Sequence, residues 1–307
     1  MWLHQSDRST WVRQHRLPSL IVLILLQFFA LPGLVAADSR GSRIFPSGTT
    51  SGGAHSSTAM DIAAGTDQVP PAPTSRVATK TEITSFSGAN DSTIVIGGIS
   101  GRVQNANQSW SLTSPDSHTL RFEVHPGDHW SNSGWSDLLN NDGAERSEIE
   151  LEPRFESGTI VSVSYSFMIE TGAKNTSPWL VVGQFRQTNA NGPPPFAIAM
   201  AGEHMQIIIR NVPSTAFVAY RDPNPIQRGR YYSMRIQVKF GDKKDGALSV
   251  WRDDVPLISY QGSIGYGRSE TYYWKEGIYR ARGSTASIAA YYQDLQVAAA
   301  RPALPQQ

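Results

Sequence analysis

The chain has 307 residues, and its 27 Lys+Arg against 26 Asp+Glu leave a formal charge of +1, too small to hold a nucleic acid or steer a charged partner. It contains no cysteine, which excludes disulfides, thiolate chemistry and cysteine-ligated metals, so the core alone must stabilise the fold.

At the N-terminus, Arg8, Arg13 and Arg16 precede a mostly apolar run over residues 17–36, broken by Pro18, Ser19, Gln27, Pro32 and Gly33 and ending in Val35-Ala36-Ala37. This layout predicts a secretory signal peptide, residues 1–37, cleaved after Ala37. The alternative, a retained anchor, calls for a longer unbroken apolar span. Removal would leave no stable membrane association and a secreted protein, extracellular or periplasmic. Residues 38–82 are rich in Ser, Gly, Thr, Ala and Pro and read as a flexible linker.

From 83 to 300, roughly 220 residues remain, enough for one large domain; residues 301–307 read as a tail. Alternating or β-branched runs recur at 92–96, 119–124, 149–151, 160–169, 179–185, 196–200, 205–209, 232–240, 247–251, 277–280 and 287–297. Turn chemistry separates them, as in Pro126-Gly-Asp128, Asn140-Asn-Asp-Gly143 and Asp245-Gly246. No long stretch keeps a helical period. The prediction is an all-β sandwich, a concanavalin-like jelly roll with one concave sheet whose groove the polar strand faces would line.

Four segments carry candidate chemistry. In Glu145-Arg-Ser-Glu-Ile-Glu-Leu-Glu152, strand alternation puts Arg146, Glu148, Glu150 and Glu152 on one face, with Ser147, Ile149 and Leu151 on the other. Such a row is either a solvated outer face or the floor of a binding cleft. In Trp179-Leu-Val-Val-Gly-Gln-Phe-Arg-Gln187, Gln184 and Arg186 share a face, at a strand end or in a site. In Thr271-Tyr-Tyr-Trp-Lys-Glu-Gly-Ile-Tyr-Arg280, Tyr273, Lys275, Gly277 and Tyr279 share a face. Aromatic clusters usually belong to cores, but Lys275 on the same side argues for a groove that stacks sugars and pairs their acids. In His125-Pro-Gly-Asp-His-Trp130, Asp128 and Trp130 single out His129.

The histidines lack compact ligand spacing and no acidic loop has a calcium-binding pattern, so no metal or cofactor is predicted, a structural calcium being left open. No Gly-x-Ser-x-Gly elbow supports a serine hydrolase.

Arg146-Ser-Glu-Ile-Glu150, Gly183-Gln-Phe-Arg186 and Tyr273-Trp-Lys-Glu-Gly-Ile-Tyr-Arg280 resemble, in order, the signatures of jelly-roll polysaccharide lyases, the group of alginate, glucuronan and heparin-lyase-like enzymes. The resemblance implies β-elimination on an anionic, uronic-acid polysaccharide by a secreted monomer. It implies that Gln184 and Arg146 neutralise the substrate carboxylate and stabilise the enolate-like intermediate. Tyr279 would take the C5 proton or protonate the departing O4. Arg146, Arg186 and Lys275 would favour its phenolate, Glu148 would hold Arg146 or Lys275, and Tyr273, Glu150 and Trp135 would line the groove.

One position departs from the pattern. The family commonly has Gln-x-His in the second signature, and here Arg186 replaces the histidine. Three outcomes follow: His129 supplies the imidazole, Tyr279 serves as both base and acid, or catalysis is lost and a binding module remains. The second suits β-1,4-linked D-glucuronate or D-mannuronate, whose C5 proton and O4 lie on the same side of the ring.

Two rivals stand beside this reading. Glu148, Glu150 and Glu152 superficially match the Glu-x-Asp-x-Glu strand of laminarinase-type hydrolases. A retaining glycosidase needs its carboxyls about 5–5.5 Å apart, whereas i and i+4 in a straight strand lie about 13 Å apart. A lectin-like protein would use Trp135, Tyr273 and Tyr279 to bind glycans without cutting them.

Overall fold

The computed structural model describes residues 80–189 and 192–300. The signal-peptide segment, nearly all of the linker and the tail therefore lie outside the described residues.

The strands run from Ile83 to Ala300. In chain order they are β1 (Ile83–Ser85), β2 (Thr93–Ile96), β3 (Ile99–Asn105), β4 (Leu112–Asp116), β5 (Thr119–Val124), β6 (Glu145–Leu151), β7 (Phe155–Glu156), β8 (Ile160–Ile169) and β9 (Leu180–Gln187). They continue with β10 (Phe196–Ala201), β11 (His204–Val212), β12 (Thr215–Arg221), β13 (Tyr232–Lys239), β14 (Gly241–Arg252), β15 (Val255–Ile264), β16 (Thr271–Arg280) and β17 (Ile288–Ala300). A single helical turn, α1 (Asp137–Asn140), sits between β5 and β6.

All pairings are antiparallel and form two sheets. One has the order β1-β2-β3-β6-β16-β9-β10-β11-β12, with β7 on β16; the other is β15-β14-β13-β8-β17-β5-β4. Neighbours distant in sequence, such as β6 beside β16, give the crossed connections of a jelly-roll sandwich. Alternation explains the core: in β8 every second residue, Val161, Val163, Tyr165, Phe167 and Ile169, is buried, while those between face outward. Between the sheets, Trp274 packs on Phe185, with ring centroids 5.1 Å apart, and on Tyr165 at 5.8 Å.

The first sheet is irregular where β16, β9 and β10 meet. One cross-strand row is Glu276, Gly183 and Ile198, and the next is Tyr279, Val181 and Ala199. The step between rows thus covers three residues of β16, two of β9 and one of β10. Such bulges leave carbonyls unpaired and bend a strand. Here the hydroxyl of Tyr292, from the opposite sheet, donates to the carbonyls of Val182 at 2.6 Å and Gly277 at 3.0 Å. Gly277 is required: its φ is +127°, and a Cβ would lie 2.3 Å from the Ser147 carbonyl oxygen.

Candidate active site

The three predicted strands become neighbours in the sheet. β6 pairs with β16 in unbroken register, which sets Glu150 opposite Lys275, Glu148 opposite Gly277 and Arg146 opposite Tyr279. β9 lies on the other side of β16, with Gln184 opposite Lys275 and Arg186 opposite Tyr273. On the far side of β6, β3 sets Gln104 opposite Glu148.

Lys275, Glu148, Gln184 and Gln104 form one buried network. The Lys275 ammonium donates to Glu148 Oε2 and to Gln104 Oε1, both at 2.7 Å. Gln184 Nε2 donates to Glu148 Oε1 at 2.5 Å, and Gln104 Nε2 donates to Glu150 Oε2 at 3.0 Å. Burial tends to raise the Glu148 carboxyl, but Lys275, Arg146 and the donated hydrogen bonds outweigh it and hold the group below its ordinary value. Burial also draws Lys275 below its ordinary value, against the pull of Glu148. Both groups bear a desolvation cost, which their mutual attraction and the donated hydrogen bonds offset. Gln184 Oε1 is buried without a hydrogen-bond partner among the described residues.

Arg146 is held differently. Its Nε and Nη2 donate to Asp137 at 2.7 and 2.8 Å, a two-pronged pair that matches guanidinium to carboxylate. Nη1 donates to Gln104 Oε1 at 3.2 Å and lies 3.5 Å from Glu148. Glu148 therefore holds Lys275 first and Arg146 second. The guanidinium lies between two rings, 4.4 Å from the Tyr279 centroid and 5.0 Å from that of Trp130.

Asp137 is 0% exposed and opens α1, after the capping residue Ser136. It accepts from Trp135 Nε1 at 2.9 Å and from Asn141 Nδ2 at 3.3 Å. The same Nδ2 donates to the Tyr279 hydroxyl oxygen at 2.6 Å. Trp179 leans on the Tyr279 ring, with centroids 4.8 Å apart. Burial pushes the Tyr279 phenol above its ordinary value, while Arg146, Asn141 and Arg186 oppose the shift. The phenol therefore rests protonated at neutral pH.

The other predicted residues lie at the margins. Arg186 is half-buried and donates to the Gly192 carbonyl at 2.9 Å. Tyr273 is capped by Arg154, 3.9 Å from its centroid, and Arg154 also pairs with Glu150 at 2.7 Å. Trp135 keeps an exposed ring, but its indole N–H is committed to Asp137. Glu152 lies beyond the end of β6, exposed.

His129 Nδ1 bonds the Ala144 carbonyl at 2.9 Å; because a carbonyl only accepts, Nδ1 carries the hydrogen of that bond. Asp128, expected beside that imidazole, turns instead to Trp110 Nε1 at 3.0 Å and the His125 amide at 2.8 Å. Gln104, Asp137 and Asn141 escaped the sequence reading. Only the alternation of Arg102, Val103 and Gln104 signals the first, and Ser136-Asp137 as a helix cap the second.

Fold and site together define an all-β protein, a two-sheet antiparallel jelly-roll sandwich that seats buried cations, carboxylates, an amide and a tyrosine on one face of one sheet. The polysaccharide lyase family model matches residues 79–296, and the chain belongs to that family. No curated protein shows a significant sequence match. Among solved structures, an endo-β-1,4-glucuronan lyase from the fungus Trichoderma reesei is similar at 13% identity, covering 71% of this chain and 95% of its own, with a TM-score of 0.49. The alginate lyase AlgAT5 of polysaccharide lyase family 7 gives 12% identity, 72% and 94% coverage and a TM-score of 0.49. An alginate lyase from Pseudomonas aeruginosa gives 19%, 63%, 87% and 0.43.

Proposed function

We propose that the protein is a secreted, monomeric lyase that cleaves a glucuronan- or mannuronan-like polymer by β-elimination. The observation that carries this reading is the seating of Tyr279 over Arg146, four residues along β16 from Lys275 of the Lys275–Glu148–Gln184 network. Gln184 and Arg186, on the outer face of β9, offer donors to the uronate carboxylate, with the charge of Lys275 behind them. Withdrawing negative charge from that carboxylate acidifies the neighbouring C5 proton.

Tyr279 first gives its phenolic proton to solvent, a loss that Arg146 and Arg186 favour, and the phenolate then takes the C5 proton. The C5–H electrons form the C4=C5 double bond as the C4–O4 bond breaks. The same phenol then protonates O4, which becomes the new reducing end. One group acting on both atoms requires them on the same ring face, as in D-glucuronate or D-mannuronate. Arg186 in the place of the family histidine favours this economy. Secretion rests on the signal-peptide layout of residues 1–37.

The test is to incubate the purified protein with polyglucuronate, polymannuronate, polyguluronate and neutral glucans, following ultraviolet absorbance of unsaturated uronates together with reducing ends. Both signals are expected on the first two polymers and are lost in Tyr279→Phe. Reducing ends without absorbance identify a hydrolase, and binding with neither signal identifies a lectin-like protein.

A further inference from the structure

The hydroxyl oxygen of Tyr279 is held by a loop rather than by the sheet: the Asn141 amide donates to it at 2.6 Å from the turn following α1. Which end of that amide faces the tyrosine is settled by the surroundings. The same nitrogen lies 3.3 Å from Asp137 Oδ1, and a carboxylate oxygen bound by Arg146 and Trp135 only accepts. An amide oxygen there would face it with like partial charge. The NH2 group is therefore the one directed at Tyr279.

From this geometry we infer that Asn141 is a positioning residue for the elimination: it fills a lone pair of the Tyr279 oxygen, turns the phenolic hydrogen toward the substrate side and stabilises the phenolate. The inference rests on the lyase reading and assigns a role to a residue outside the three strand signatures. With a donor on one side of its oxygen, the phenol cannot point its own hydrogen at Asn141, and one rotor of the hydroxyl is excluded. When the phenol ionises, the same N–H becomes a charge-assisted bond to the oxyanion.

The other charges facing Tyr279 are Arg146 from β6 and Arg186 from β9, which also favour the phenolate, and Asp137 from α1, which opposes it. Asp137 fixes both Arg146 and Asn141, so its negative charge is spent on the two donors that act on the phenol.

Asn141→Asp and Asn141→Ala separate donation from shape. Aspartate is isosteric but accepts, so both variants should lower kcat on the cleaved polyuronate about 100-fold with KM within about twofold, and shift the ascending limb of the pH profile, which reports ionisation of the base, to higher pH. Aspartate should be the worse of the two. A readout independent of turnover is the titration of 13Cζ-labelled tyrosine by NMR, the Tyr279 signal being the one missing in Tyr279→Phe. Its pKa should rise in both variants, while thermal stability stays near wild type in Asn141→Ala, which sets no second carboxylate beside Asp137.

An unchanged pKa, or full activity in Asn141→Asp, overturns the inference. A loss of kcat with an unmoved pKa also overturns it and reduces Asn141 to a loop-shaping residue. If the wild type cuts no polyuronate, the lyase reading fails while the titration still decides whether Asn141 acts on Tyr279.

Discussion

Arg146 and Tyr279 face each other as register partners across β6 and β16, with the guanidinium carbon 4.4 Å from the ring centroid. The cation is thus set against the π-face, while Asn141 reaches the oxygen. Two strands in regular pairing produce the first contact, and a loop returning over the sheet produces the second.

Removing Arg146 should cost far more than an exposed charge would. Asp137 is fully buried and takes both prongs of the guanidinium. Arg146→Ala leaves that carboxylate unpaired, and urea unfolding should report a loss of ~3–5 kcal/mol. Arg146→Lys keeps the charge but not the fork, and should recover only part of this stability.

Glu148 supplies a pH signature. Its folded-state pKa lies below the ordinary carboxylate value, so the stabilisation it gives is present above the unfolded value and is lost as pH falls through the folded one. Unfolding free energies measured between pH 6 and 3 (roughly the acid range of carboxylates) should fall more steeply for wild type than for Glu148→Gln. Parallel curves would remove Glu148 from the acid response.

Glu276 should act in the opposite sense. It alternates with Lys275 on β16 and therefore points into the core, where Trp274 Nε1 reaches it at 3.3 Å and Oε1 has no partner among the described residues. Burial pushes its carboxyl up to about 8. Its stabilising contribution is fully present below the unfolded value of 4.5 and declines as pH rises toward about 8. Tm measured from pH 5 to 9 should fall for wild type relative to Glu276→Gln, and the difference should level off above about 8.

Tyr292 is the pin of the bulge. Tyr292→Phe keeps the ring but removes the hydroxyl shared by the carbonyls of Val182 and Gly277, at a cost of ~1–3 kcal/mol. Because Tyr279 follows this irregularity, activity on polyuronate should fall through kcat more than KM. Gly277→Ala, which drives a Cβ against the Ser147 carbonyl at +127°, should be harsher, at ~2 kcal/mol or more. Denaturant midpoints and steady-state kinetics check both.

The strand signal was clearest where burial alternates cleanly. The runs read at 119–124 and 160–169 coincide with β5 and β8, because every second residue there is apolar and enters the core. β3 and β15 were unreadable for the opposite reason: Gly101 interrupts one pattern, and Pro256 with a mostly exposed face interrupts the other. The edge strand β12 exposes Phe217 and Val218, so its apolar residues follow no core face.

The site divides along the same line. Arg146, Glu148, Gln184, Lys275 and Tyr279 were legible because strand alternation alone puts them on the outer face of β6, β9 and β16. Gln104, Asp137 and Asn141 were not. The first needs the pairing of β3 with β6, and the other two need the α1 loop to fold back on the sheet. Neither leaves a period in the sequence. His129 stood out for its neighbours in the chain, yet Asp128 serves the turn and Trp130 underlies Arg146.

The fixed sheet and the α1 loop also divide the labour of change. The strands deliver the tyrosine and its cation, whereas Asp137 and Asn141 arrive on one short stretch between β5 and β6. Residues 137–141 lie outside the strands themselves, so position 141 can be changed without disturbing strand register. A replacement loop that keeps Asp137 but varies position 141 would retune the acidity of the phenol while leaving Arg146 anchored, which makes the α1 loop a dial for the pH at which one scaffold works.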